Sequence, residues 1–312
     1  MTLLYTDPLF LEHKTGAHPE TPDRLRAISR KFGADGLIER CKAGKIVPLT
    51  PDEVVQIHSA TMVDAVRRLA ERGGGAIDSE TVVSPESFRV GLGAAGAVVS
   101  AVDAVLNGDE RNALCLIRPP GHHANADRSM GFCLFNNVAL AARHARVHRG
   151  LDRVLIVDFD VHHGNGTQDI FYRDPSVHFL SLHRYGDGFY PGTGAAEETG
   201  EGPGLGATLN LAIEYGQSRV AICDSFRAGL EKAASECRPQ LILVSAGFDA
   251  HRLDPIGNLG LETADYASLS QSILDVAKVH CAGRVVSCLE GGYNLAATAE
   301  SAAVHLNTLL QA

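Results

Sequence analysis

Tryptophan is absent from these 312 residues, and methionine occurs only three times. Other absences exclude whole classes of protein. No apolar run approaches the ~18 residues expected of a membrane span. The chain does not begin with a basic segment and an apolar core, which points away from a secretory signal. There are seven cysteines, but no pair has Cys-x-x-Cys spacing, so zinc ribbons and thioredoxin-like motifs are excluded. An odd number of thiols without a signal segment fits a reducing, cytoplasmic setting. Positive charge is also scarce. Lys plus Arg total 28 against 37 Asp plus Glu, a net charge of −9, which argues against nucleic-acid binding. No linker, repeat or low-complexity segment interrupts the chain, so one domain over residues 1–312 is expected.

What remains is ordinary globular composition, 45% hydrophobic and 21% charged. The second half alternates strand and helix patterns. Strands are expected at 113–117, 153–157, 177–182, 208–213, 241–244 and 284–289. Helices are expected at 136–149, 218–237, 263–280 and 295–310, the first capped by Asn136 or Asn137. Strands alternating with helices imply an α/β fold with a mainly parallel sheet covered on both faces. Earlier in the chain, residues 3–5 and 45–49 read as strands, and 63–71 and 90–106 as helices. Residues 186–206 form a long Gly-rich connection, which in a compact domain is more often functional than idle.

The polar residues are not scattered. Five expected strands each run into ionisable or polar groups at their C-terminal ends: Pro119-Pro120-Gly121-His122-His123, Asp158-Phe159-Asp160-Val161-His162-His163-Gly164-Asn165, Ser181-Leu182-His183, Gly247-Phe248-Asp249 and Glu290-Gly291-Gly292-Tyr293. Ligands of open α/β sheets bind beyond those ends. On an extended segment residues two apart point the same way, so Asp160 and His162 can reach one metal with Asp158 just behind. A carboxylate from another strand, such as Asp249, would complete three ligands. Oxygen and imidazole donors suit Zn²⁺, Fe²⁺, Co²⁺ or Mn²⁺, and three ligands leave a position open for catalysis. An isolated Asp-x-His is more often a satisfied strand end; the five coincident strand ends favour the metal. His122 and His123 follow a stiff Pro-Pro-Gly turn and offer a proton acceptor near neutral pH. Tyr293 could donate to a developing oxyanion. Gly131, Phe132, Phe189 and Tyr190 lie in glycine-rich loops and could line a narrow apolar channel.

Taken together, these residues resemble the zinc-dependent histone deacetylase and acetylpolyamine amidohydrolase superfamily, with an arginase-like fold. The resemblance runs from His18-Pro19-Glu20 to Glu290-Gly291-Gly292-Tyr293-Asn294, and Asn165 and Glu290 place it nearest the class II branch and its bacterial relatives. It implies one Zn²⁺ on Asp160, His162 and Asp249. It implies His123 as general base and acid, with His122 as its electrostatic partner. Asp158 would orient His122, Asn165 would contact His123, and Tyr293 would polarise the acyl carbonyl. Gly131, Phe132 and Tyr190 would line the acyl-lysine tunnel. Structural K⁺ would sit on Asp158, Asp160, His162, Ser181 and Leu182, with a second site near Phe171, Asp174 and Val177. Arg24 matches an arginine of the family's interior channel.

The implied activity is hydrolysis of acetyl-lysine or a related acyl-lysine amide. The alternative is a small-molecule amidohydrolase acting on acetylpolyamines or similar amides. An acyl-lysine binding module without catalysis is disfavoured by the intact ligands, histidines and tyrosine. Ile256 stands where an acidic gate for polyamines would be sought, although Glu86 or Asp187 could grip a cation at the rim. Expected partners are an acyl-lysine protein or peptide, or a small acylated amine, with no nucleic acid or membrane. A homo-oligomer is also compatible.

Overall fold

The computed structural model describes all residues, 1–312. In chain order its regular elements are β1 (Thr2–Tyr5), α1 (Asp23–Ala34), β2 (Cys41–Ala43), α2 (Pro51–Val54), α3 (Ala60–Glu71), β3 (Gly75–Ala76), β4 (Val82–Val83), α4 (Ser87–Asn107), β5 (Asn112–Cys115), α5 (Asn137–Val147), β6 (Val154–Asp158), α6 (Asn165–Phe171), β7 (Val177–Arg184), β8 (Thr208–Ile213), α7 (Arg219–Cys237), β9 (Leu241–Ala246), α8 (Thr263–His280), β10 (Val285–Leu289) and α9 (Leu295–Leu309). Eight strands form one sheet in the order β2-β1-β5-β10-β9-β6-β7-β8. Every neighbouring pair in it is parallel.

The central strands β6, β9 and β10 are buried along their whole length. Their near-continuous apolar runs are what a parallel sheet needs when helices cover both faces. The five strands singled out in the sequence are five adjacent strands, β5-β10-β9-β6-β7. Their shared direction brings all their C-terminal ends to one edge. Side-chain caps start the helices where the sequence suggests: Asn136 accepts from Ala139 N–H, and Asn294 from Ala297 N–H.

Three expectations change. Residues 45–49 are not a strand. The strand lies earlier, at Cys41–Ala43, pairing with β1. The chain then leaves the sheet to cross α4, where Leu49 N–H donates to Leu92 O. A side chain at Gly96 would meet Val47 O at 2.2 Å, so glycine permits that crossing. Second, α1 and α6 form where the sequence pattern predicts no helix. The motif that carries Asn165 is the first turn of α6 rather than a loop. Third, α4 is long and apolar enough, by length and composition, to cross a membrane. Here 72% of its apolar window is buried inside the fold. Its Ala and Val residues pack among the other core residues, as in a core helix.

Candidate active site

At the C-terminal edge of β6, Asp158 ends the strand, and Asp160 and His162 follow it. Asp249 follows β9. One ligand atom from each of Asp160, His162 and Asp249 lies within 4.8 Å of the others, and all three residues are buried. His162 Nδ1 lies 3.1 Å from Asp160 Oδ1 and 3.2 Å from Asp249 Oδ2. Backbone amides fix the carboxylates: Gly291 N–H donates to Asp160 Oδ2 at 2.8 Å, and Val161 N–H to Asp249 Oδ1 at 3.0 Å. Asp249 Oδ2 is buried without a hydrogen-bond partner. A Cβ at Gly247 would lie 2.1 Å from Asp160 Oδ2, and one at Gly291 2.1 Å from Asp249 Oδ2. The glycines therefore let the backbone close around the carboxylates. Converging carboxylates, one open oxygen and one imidazole are a donor set that fits a divalent cation.

The two histidines after Pro120-Gly121 sit beside this cluster, their ring centroids 4.0 Å apart. His122 Nδ1 donates to Asp158 Oδ2 at 2.9 Å. Burial opposes a charge on His122, but Asp158 and Asp160 outweigh it and raise its pKa to about 10. His123 Nδ1 donates to Asn165 Oδ1 at 2.8 Å. Burial, and then the neighbouring His122 and His162, push its pKa well below the usual imidazole value. His123 is thus neutral, with its proton on Nδ1 and a free lone pair on Nε2. The adjacent histidines are driven to opposite protonation states because one faces a carboxylate and the other an amide.

A narrow cavity of about 60 Å³ leads to this point, lined by Glu80, His123, Gly131, Phe132, His162, Tyr190, Ile256 and Tyr293. A wider surface groove of about 610 Å³ over α3 brings together no comparable metal-binding or imidazole cluster. Gly131 and Phe132 both have positive φ, 58° and 68°, in a tight turn from Met130 to Cys133. A side chain at Gly131 would strike the His123 ring at 2.4 Å, so glycine is required there. Phe189 stacks flat on His162, with centroids 5.1 Å apart and planes at 5°. Tyr190 meets His123 edge-on at 5.1 Å, and Phe132 meets Tyr293 edge-on at 5.7 Å. Asp158 and Ser181 are register partners on β6 and β7, with Leu182 next along β7. Phe171, Asp174 and Val177 span two successive turns between α6 and β7, closed by Asp174 N–H to Phe171 O and Val177 N–H to Asp174 O.

Glu86 and Asp187 do not line the cavity. Glu86 is instead paired with Arg89 at the start of α4. The carboxylate at the mouth is Glu80, on the β3–β4 hairpin. Ile77 N–H to Thr81 O closes that hairpin, and Asp78 Oδ1 accepts from the Glu80 and Thr81 N–H groups. Burial, and then Asp78, raise the Glu80 pKa. Three further buried acids escaped sequence reasoning as positioning groups. Asp254 Oδ2 accepts the Tyr293 and Asn294 N–H groups at 2.7 and 3.2 Å, holding the tyrosine's loop. Glu290 Oε2 accepts the Gly121 N–H at 2.6 Å and the His122 N–H at 3.3 Å. Glu20 grips Arg118 and Arg24 behind the site. Arg24 is fully buried, donates to Gly292 O at 2.6 Å and lies 5.0 Å from the centre of the Tyr293 ring.

Comparison with known proteins finds similar chains over most of this length. The histone deacetylase domain family matches residues 18–309. Histone deacetylase 14, chloroplastic, of Arabidopsis thaliana is 40% identical over 99% of this chain and 76% of its own length. A histone deacetylase-like amidohydrolase of Pseudomonas aeruginosa is 37% identical over 89% of this chain and 73% of its own. The crystal structure of the HDA15 HD domain superimposes with a TM-score of 0.91 at 37% identity, covering 99% of this chain and 90% of that one.

Proposed function

The chain belongs to the histone deacetylase family, and from that premise we propose that it is a zinc-dependent deacylase that hydrolyses the side-chain amide of acetyl-lysine or a related acyl-lysine. The observation that carries this reading is His123, held through Nδ1 by Asn165, beside the Asp160–His162–Asp249 cluster, at the base of a channel walled by Phe132 and Tyr190. Asp160, His162 and Asp249 would hold the Zn²⁺, which when bound would supply Lewis-acid chemistry for the acyl carbonyl and lower the pKa of a nearby water. His123 Nε2 takes the proton from that water and returns it to the leaving amine. Water and the amide thus become a carboxylate and a free amine, with no acyl-enzyme. His122, charged against Asp158, keeps positive potential beside the reacting centre. Tyr293 donates its phenolic hydrogen to the carbonyl oxygen as negative charge grows there. The narrow aromatic channel excludes bulky groups and accepts an extended methylene chain. The Asp158–Leu182 and Phe171–Val177 sets are assigned to structural K⁺ on the same reading.

One observation favours the second reading, an amidohydrolase for small acylated amines. Glu80, at the channel mouth, has no ion-pair partner among its neighbours and suits a cationic substrate. The test is steady-state turnover of acetyl-lysine peptides, longer acyl-lysine peptides and acetylated polyamines by wild type and Glu80→Gln. The first reading expects peptides to lead for both proteins. A lead for acetylpolyamines that vanishes in Glu80→Gln selects the second. Turnover of none of these amides would contradict both.

A further inference from the structure

The Gly-rich connection 186–206 carries Tyr190, which lines the channel, and Phe189, which stacks on His162. Its Gly194, Ala195 and Glu198 carbonyls accept from His183 and Asn210, and one carboxylate adds further side-chain ties. Glu198 has no ion-pair partner among the neighbouring lysines and arginines. Its oxygens instead accept the Gly194 N–H at 3.2 Å, the Ala195 N–H at 3.1 Å and the Gln168 Nε2–H at 2.5 Å. Gln168 lies on α6, the helix whose first residue, Asn165, holds His123. A carboxylate only accepts, so Glu198 fixes the orientation of the Gln168 amide. Gln168 Oε1 then accepts from Asn210 Nδ2 at 2.7 Å and from His163 Nε2 at 3.0 Å. With its proton on Nε2, His163 accepts at Nδ1 from the Thr193 hydroxyl at 2.8 Å, back on the same connection. The loop from Thr193 to Glu198 is thereby locked at both ends to the segment that carries His162 and Asn165.

We propose that Glu198 is a positioning residue for the substrate channel. Acting through Gln168, it holds the connection that presses Phe189 onto His162 and Tyr190 onto His123. The inference rests on the reading of that channel as the acyl-chain site and adds a specificity determinant to it. In Glu198→Gln, either orientation of the new amide sets a donor against a donor, at Gln168 or at the Gly194 and Ala195 N–H groups. The exchange Glu198→Gln with Gln168→Glu removes that conflict. Gln at 198 then accepts the loop amides and donates to Glu at 168, which still accepts from His163 and Asn210.

The test uses the metal-loaded enzyme and two hydroxamates, acetohydroxamate and one with a long alkyl chain that fills the channel. Glu198→Gln is expected to weaken the long-chain probe about tenfold while acetohydroxamate stays within about twofold. KM for an acetyl-lysine peptide should rise with the long-chain Kd, and kcat should fall less. The double exchange should return long-chain affinity to within about threefold of wild type. Equal loss of both probes in Glu198→Gln would make the residue a general structural support and overturn the proposal. So would unchanged long-chain binding, or a double exchange that restores nothing. Failure of wild type to bind either probe would instead overturn the deacylase reading on which the proposal stands.

Discussion

Two buried charged clusters lie back to back across Gly291 and Gly292, and they are built differently. Behind the glycines, Glu20 meets Arg118 and Arg24, and the remaining guanidinium hydrogens reach the carbonyls of Phe10, His13, Glu290 and Gly292. None of these side-chain atoms is left without a partner. In front, four carboxylates (Asp158, Asp160, Asp249 and Glu290) crowd around His122 and His162. Asp249 keeps one oxygen unpartnered there. Burial, opposed by His122 and the Gly121 N–H, raises the Glu290 pKa to about 7. An uncompensated buried charge is costly, so the first cluster is complete as a scaffold, whereas the second has a donor set that fits an added cation. Arg24 joins them, since it donates to the carbonyls of Glu290 and Gly292 that precede Tyr293.

The comparison is sharpened by disabling each cluster separately. In the front cluster, His123→Ala removes the proposed base without touching a proposed metal ligand. Its kcat should fall about 10²–10⁴-fold with metal content and thermal stability nearly unchanged. Turnover close to wild type would deny His123 that role.

In the rear cluster the expected loss is one of stability. Glu20→Gln leaves two buried guanidinium groups without their carboxylate and should destabilise the fold by roughly 3–5 kcal/mol near pH 7. Burial opposes ionisation of Glu20, but Arg118 and Arg24 outweigh it and hold its pKa at about 2, against an ordinary 4.5. A depressed carboxyl pKa stabilises the fold above the ordinary value, and that contribution is lost as pH falls through the depressed one. The gap between wild type and Glu20→Gln should therefore be full above pH 4.5 and shrink toward pH 2. Denaturant unfolding across that range checks it. A gap independent of pH would mean that shape, not charge, holds the cluster.

How much of this was readable in the sequence differs between the clusters for a physical reason. Asp158, Asp160, His162 and Asn165 stand within eight positions, at the end of β6, in the bend after it and at the start of α6, so their short separation in sequence alone nearly assembles them. The parallel order of the sheet then adds His123, Asp249 and Tyr293 from neighbouring strand ends. Glu20 and Arg118 are 98 positions apart, and their contact follows only from how the N-terminal segment packs over β5. Glu80 and Asp254 sit in loops of ordinary composition, and only the tertiary fold turns them toward the site. Residues 45–49 have strand-like composition, but Pro48 offers no ladder hydrogen and the chain crosses α4 instead.

The central claim is that the front cluster takes one divalent cation and works through it. The most direct measurement is titration of Zn²⁺ into chelator-treated wild type and Asp249→Asn, with bound metal, thermal stability and deacylation followed together. The account predicts one ion per wild-type chain, a higher Tm on binding, and turnover returning in proportion to occupancy. Asp249→Asn should stay folded but bind Zn²⁺ far more weakly and remain inactive at the concentration that saturates wild type. Full turnover by wild type stripped of every divalent ion, or undiminished Zn²⁺ affinity in Asp249→Asn, would contradict it.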